Sequence, residues 1–86
     1  MELKEQFEQA AADSKNLPEK PDNDILLQLY SLYKQGSTGD VNTEAPSNPF
    51  DFVGKAKYEA WASLKGKSMN DAMTEYVALV EKLSQR

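Results

Sequence analysis

Residues 68–83 read SMNDAMTEYVALVEKL, and this stretch decides the fold class. Its apolar residues recur at spacings of three and four, which is the period of one face of an α-helix. Ser68, followed three residues later by Asp71, forms a pattern like a capping box and predicts that a helix begins here. The apolar stripe consists of Met69, Ala72, Met73, Tyr76, Val77, Val80 and Leu83. The segment therefore predicts an amphipathic helix that buries one face against other helices.

Three earlier segments have the same helical period. The first ends at the prolines that begin with Pro18, and the second begins at Asp22 or Asn23 and has Gly36 as a natural C′ residue. The third begins at the cap residue Asp51 and ends near 65–66. The stripes are Leu3, Phe7, Ala10, Ala11 and Ser14; Leu26, Leu29, Leu32 and Tyr33; and Phe52, Val53, Ala56, Ala60, Trp61 and Leu64. The sequence thus predicts one all-α, four-helix domain over residues 1–86.

The segment between the second and third predicted helices is a loop. Residues 36–50 contain two glycines and two prolines among Ser, Thr, Asn and Asp, which is the composition of turns. At about 15 residues it is long for so small a domain, and loops of that length are usually functional or disordered. The pattern leaves both alternatives open.

The composition argues against catalysis. The chain has 86 residues and contains neither cysteine nor histidine. A disulfide framework and a thiolate metal site are therefore excluded, and the commonest general base and metal ligand is missing. We accordingly expect no enzyme activity, no metal site and no cofactor.

The charge and hydropathy of the chain restrict its partners and location. A net charge of −4 is opposite to the basic face of most nucleic-acid binders, so we expect no nucleic-acid partner. No stretch approaches the roughly 20 apolar residues of a membrane span, and we expect no stable membrane insertion. The acidic N-terminal segment does not resemble a signal peptide. We therefore expect a cytoplasmic protein.

Two short motif matches fail in their context. Ser31 and Lys34 fit the S-x-x-K pattern of serine acylation, but the S-D-N and K-T-G elements that this chemistry needs are absent. Asp40, Asn42 and Glu44 have the spacing of a calcium loop, but the required glycine position holds Ala45. Both patterns are better explained as ordinary helix and loop polar groups.

Tyr30, Tyr33 and Lys34 lie on one face of the second predicted helix, because positions three and four apart are neighbours. Two interpretations remain open from the pattern alone. The face is either the tyrosine edge of the core with a lysine that extends to solvent, or a ligand face. On a ligand face the rings would stack on a planar group and the lysine would neutralise a phosphate.

Lys55 and Lys57 open the third predicted helix. Lysines in a first helical turn oppose the helix dipole, so they do not help stability there. A bound anion at that position would be favoured by both the lysines and the dipole. Two solvated lysines are an equally good interpretation of the pattern.

Three long elements make the family resemblance specific. They are YSLYKQGSTGDVNTEAP at 30–46, DFVGKAKYEAWASLKGKS at 51–68 and DAMTEYVALVEKL at 71–83. Together they resemble the acyl-CoA-binding protein family over nearly the whole chain, from Phe7 to Leu83. The resemblance implies an up-down-down-up four-helix bundle that is a monomer. It also implies a protein that binds medium- to long-chain acyl-CoA esters without catalysis, buffers them and delivers them to the enzymes that use them.

The resemblance also implies a set of ligand-binding residues. By the family pattern Tyr33 stacks on the adenine, Lys34 meets the ribose 3′-phosphate, and Lys57 contacts a phosphate. Leu26 and Leu27 match positions that line the path of the acyl chain. The full set is Lys15, Leu26, Leu27, Tyr30, Ser31, Leu32, Tyr33, Lys34, Lys57 and Tyr76.

The chain departs from the usual family pattern at a few positions. Ala45 replaces a common arginine, Tyr58 replaces a common tryptophan, and the segment 47–50 is one residue longer than usual. Ser14 stands where an apolar residue is typical between the first and fourth helices. None of these positions belongs to the ligand set.

Two other functions compete with an acyl-CoA carrier. The same fold could serve as a helical protein-interaction module with a silent ligand site, and Lys34→Ala would then leave partner binding unchanged. A thioesterase is the third hypothesis, against which the lack of histidine and cysteine argues.

Overall fold

The computed structural model describes residues 2–84 and has four helices in that range. They are α1 (Leu3–Asp13), α2 (Asn23–Ser37), α3 (Phe52–Ala62) and α4 (Met69–Ser84), with a single 3-10 turn at Ser14–Asn16 after α1. The predicted all-α, four-helix bundle is confirmed, and residues 2–84 contain no strand. In the same range, no helix is long and apolar enough to cross a membrane.

Helix α4 is the centre of the packing. It packs against both α2 and α1, while α3 packs mainly on α2. The core cluster contains Phe7, Ala10, Leu29, Leu32, Ala72, Tyr76, Val77 and Val80. The stripe predicted for α4 supplies half of this cluster, and its first residue, Met69, is the exposed exception. The segment that predicted the fold class is thus the one around which the bundle is built.

Side-chain caps begin the last two helices where the sequence predicted them. The Ser68 Oγ accepts a hydrogen bond from the Asp71 backbone N–H at 3.0 Å. The Asp51 Oδ1 accepts one from the Gly54 backbone N–H, also at 3.0 Å. Each bond satisfies one of the donors that a first helical turn leaves without a partner.

Gly36 does not end α2 as the sequence predicted. The helix continues to Ser37, with Thr38 as its C-cap, and Gly36 is buried inside it. A Cβ atom at Gly36 would lie 3.1 Å from the Phe7 ring, so the glycine lets α1 approach α2 closely. The residue with a positive φ, 97°, is Gly39 in the following loop. Close packing therefore explains the glycine at position 36, and the positive φ explains the glycine at position 39.

The apolar stripe predicted for α3 is buried at only one end. Trp61 is 3 % exposed, whereas Phe52 and Val53 are 71 % and 67 % exposed. Because α3 packs mainly on α2, the first turn of α3 extends beyond the core and leaves its apolar side chains accessible. This exposed apolar turn lies beside Leu26 and Leu27 of α2, as described below.

Candidate functional site

Three aromatic rings from three helices form a cluster at one side of the bundle. The Phe7 ring of α1 stacks on the Tyr33 ring of α2, with centroids 5.3 Å apart and planes 18° apart. The Tyr76 ring of α4 meets Phe7 edge-on at 5.2 Å and Tyr33 at 5.8 Å. Tyr76 is buried, but Tyr33 is 41 % exposed. Tyr33 is thus supported by the core on one side while part of its surface stays accessible.

A hydrogen bond fixes the buried end of this cluster. The Tyr76 hydroxyl donates to the Ser14 Oγ at 3.3 Å, and the Ser14 hydroxyl in turn donates to the Ala11 carbonyl at 2.8 Å. Burial raises the pKa of the Tyr76 hydroxyl, and the bond to Ser14 partly opposes that rise. Ser14 therefore supplies a partner for a buried tyrosine hydroxyl.

Two grooves beside these helices contain residues of the predicted ligand set. The first, which we call the aromatic groove, has a volume of about 510 Å³ and runs between α1, α2 and the start of α4. The second, which we call the aliphatic groove, has a volume of about 420 Å³ and runs between α2 and α3. The aromatic groove is lined by Lys4, Phe7, Glu8, Ala11, Tyr33, Gly36, Ser37, Met69 and Met73. The aliphatic groove is lined by Asn23, Leu26, Leu27, Phe52, Val53, Ala56 and Lys57.

Two lysines of the predicted ligand set lie over aromatic rings. The Lys57 Nζ is 5.3 Å from the centroid of the Tyr30 ring, and the Lys34 Nζ is 4.8 Å from the Trp61 ring. Such contacts attract a cation to the electron-rich face of a ring. Lys57 also lines the aliphatic groove, so a positive charge stands at the side of an apolar channel.

The loop after α2 is tied back to the bundle through Gln35 and Asp40. The fully buried Gln35 donates from its Nε2 to the Asp40 Oδ1 and to the Lys67 carbonyl, both at 2.8 Å. The same Asp40 oxygen accepts from the Gly66 backbone N–H at 2.9 Å. The Gly66 N–H and the Gln35 amide lower the pKa of the Asp40 carboxyl. The end of α2 is thereby fixed to the α3–α4 turn.

Ser31 and Leu32 lie apart from the exposed members of the predicted set. Both are buried, Leu32 belongs to the core cluster, and the Ser31 Oγ bonds to the Gln28 carbonyl at 3.1 Å. Their positions give them a packing role, and their ligand contacts stay predictions. Lys15 is exposed on the 3-10 turn after α1. The structure thus groups Tyr33 with Tyr76, and Leu26 and Leu27 with Lys57.

Sequence reasoning did not place four residues at the site. Phe7 supports Tyr33, Trp61 lies under Lys34, and Phe52 and Val53 line the aliphatic groove. All four were assigned to helix stripes, since a stripe does not distinguish a buried residue from one at the edge of a groove. A weak signal was available for Phe52 and Val53. They lie in the first turn of a helix after a long loop, where few residues are available to cover them.

Comparison with known proteins gives one consistent result. Residues 4–80 match a family model described as Acyl CoA binding protein. The chain is 52 % identical to acyl-CoA-binding protein homolog 1 of Caenorhabditis elegans over 90 % of this chain and 88 % of that protein. It is 49 % identical to the acyl-CoA-binding protein of Saccharomyces cerevisiae over 90 % and 87 % of the two chains. The crystal structure of acyl-CoA-binding protein 2 from Oryza sativa superimposes with a TM-score of 0.89 at 39 % identity, covering 95 % of this chain and 90 % of that chain.

Proposed function

Because the chain belongs to the acyl-CoA-binding protein family, we propose that it binds medium- to long-chain acyl-CoA esters and carries them without chemical change. The observation that carries the proposal is the position of Lys57. This lysine lines the aliphatic groove and also lies over the Tyr30 ring. A cation beside an apolar channel suits a ligand that joins a phosphate-rich head group to a hydrocarbon chain.

The head group of the ester has four candidate contact residues. The accessible part of the Tyr33 ring, supported from behind by Phe7, offers a flat surface on which an adenine would stack. Lys34 would meet the ribose 3′-phosphate, and Lys57 and Lys15 would supply further positive charge. Since the chain has a net charge of −4, a phosphate site depends on such a local concentration of lysines.

The aliphatic groove would take the acyl chain. Leu26, Leu27 and Ala56 form its apolar wall, and Phe52 and Val53 extend it at the start of α3. Each methylene removed from water contributes about 0.8 kcal/mol, so eight buried methylenes contribute roughly 6 kcal/mol. Affinity should therefore rise steeply with chain length until the groove is full.

The composition of the chain suits a carrier better than an enzyme. Without histidine or cysteine it has neither the commonest general base nor a thiol nucleophile to attack the thioester. In the proposed role the protein needs no cofactor, acts as a cytoplasmic monomer and releases its ligand to enzymes that use acyl-CoA. Incubating palmitoyl-CoA with excess protein should therefore leave the thioester intact.

Calorimetric titration with palmitoyl-CoA tests the proposal, with free CoA and palmitate as controls. We expect one-to-one binding of the ester and far weaker binding of each half, because only the ester occupies both ends of the site. Lys34→Ala should weaken ester binding strongly. The absence of ester binding would contradict the proposal and favour a protein-interaction module on the same fold.

A further inference from the structure

Lys34 is the lysine of the predicted set that rests on a buried ring. Its Nζ lies 4.8 Å from the centroid of the Trp61 ring, and Trp61 is 3 % exposed. Lysine has a flexible four-carbon stem, so its ammonium normally samples many positions. A ring that is itself immobile restricts the ammonium to a small region above its face.

The Trp61 ring is held in turn by the loop after α2. Its indole N–H donates to the Gly39 carbonyl at 2.9 Å, and the Gly39 N–H donates to the Gln35 carbonyl at 3.1 Å. The neighbouring Asp40 is fixed by Gln35 and by Gly66. Because Gln35 follows Lys34 directly in α2, these bonds fix the ring relative to the helix that carries the lysine.

We propose that Trp61 is a positioning residue, whose ring holds the Lys34 ammonium where the 3′-phosphate of the ligand binds. This inference rests on the proposed function, in which Lys34 meets that phosphate. A lysine that is already in place loses less conformational freedom when the anion arrives, so binding is tighter. Trp61 acts through Lys34 and makes no contact of its own with the ligand.

The chain permits a test that changes the electron density of the Trp61 ring far more than its size. Trp61 is the only tryptophan in the sequence, so biosynthetic incorporation of fluorinated tryptophans alters this ring alone. Fluorine withdraws electron density from the ring face and weakens its attraction for a cation, with little change in shape. Protein carrying tryptophan, monofluorotryptophan or tetrafluorotryptophan would be titrated with palmitoyl-CoA and with 3′-dephospho-palmitoyl-CoA.

We expect the affinity for palmitoyl-CoA to fall by about three- to tenfold across the fluorination series. The affinity for the dephospho ester should change by less than about twofold, since that ligand lacks the group that Lys34 contacts. In a Lys34→Ala background, fluorination of Trp61 should leave the affinity for both ligands unchanged. Trp61→Phe is the matched variant: it keeps a ring under Lys34 and removes the bond to Gly39, so it should lower stability more than it lowers the preference for the 3′-phosphate.

Four results would overturn the inference. If fluorination lowered the affinities for palmitoyl-CoA and its dephospho form equally, Trp61 would have a purely structural role. A rise in affinity on fluorination would mean that the ring competes with the phosphate for the lysine. A flat series in a protein that does prefer palmitoyl-CoA over its dephospho form would leave the proposed function intact and remove Trp61 from it. If the unlabelled protein showed no such preference, the proposed role of Lys34 would fail, and the inference with it.

Discussion

The Tyr76 hydroxyl of α4 donates a hydrogen bond to the Ser14 Oγ, which lies in the 3-10 turn after α1. This bond joins the turn after α1 to the middle of α4, beside the aromatic cluster. A polar residue at position 14 is thus no defect in the packing between α1 and α4, because the buried tyrosine opposite it requires a partner.

Ser14→Ala should lower the free energy of unfolding by about 1 kcal/mol, since it leaves a buried hydroxyl without its protein partner. The pKa of Tyr76, already raised by burial, should rise further because the bond to Ser14 lowers it. Urea unfolding and ultraviolet titration would measure the two effects. In a Tyr76→Phe background, Ser14→Ala should lower the free energy of unfolding much less. An equal decrease in both backgrounds would show that the bond does not stabilise the fold.

The helices could be predicted from the sequence because their signals are local. Ser68 and Asp51 cap the helices that follow them within three residues, and the stripe of α4 repeats over its whole length. The role of Gly36 could not be read in this way. It depends on the Phe7 ring, which is brought against α2 only when the bundle forms.

The candidate site was predictable in part. The helical period explains why some residues of the predicted set are accessible and others are buried. Tyr30, Tyr33 and Lys34 share one face of α2, whereas Ser31 and Leu32 point toward the core, as a period of 3.6 residues requires. The family resemblance assigned ligand contacts to every residue of the segment 30–34, so it included residues on both faces of α2. The contact between Lys34 and Trp61 joins residues distant in the sequence, and no local pattern encodes it.

The stability of the loop tether should depend on pH through Asp40. The Gly66 N–H and the Gln35 amide lower the pKa of this carboxyl below its ordinary value of 3.8. A carboxyl with a lowered pKa in the folded state stabilises the fold fully above pH 3.8. That stabilisation is lost as the pH falls through the lowered pKa.

Asp40→Asn keeps an oxygen acceptor at this position and removes the titration. The melting temperature of the native chain should exceed that of the variant at pH 7, and the difference should vanish in strong acid. Thermal melts between pH 2 and about pH 7 would measure it. Glu81→Gln, at an exposed position on α4, is the control. A difference that stayed constant across this range would assign the effect to geometry rather than to the charge of Asp40.

Phe52→Ala should weaken palmitoyl-CoA binding by about fivefold, on the order of 1 kcal/mol, because it removes an apolar wall of the aliphatic groove. The melting temperature should change little, since this side chain is 71 % exposed in the free protein. Phe50→Ala is a matched control, because Phe50 is 79 % exposed and does not line the groove. If Phe52→Ala lowered the affinities for octanoyl-CoA and palmitoyl-CoA equally, Phe52 would not contact the distal part of the acyl chain.

Lys57→Met should weaken the binding of free CoA and of palmitoyl-CoA by a similar factor of about tenfold or more. The substitution keeps an unbranched side chain beside Tyr30 and removes the charge that would meet a phosphate. The dependence of affinity on salt concentration should also become weaker, because one charge pair is lost. Calorimetric titrations at two salt concentrations would measure both effects, with Lys82→Met, at an exposed position on α4, as the control. A loss confined to palmitoyl-CoA would instead assign Lys57 to the aliphatic groove, where its stem would contact the acyl chain.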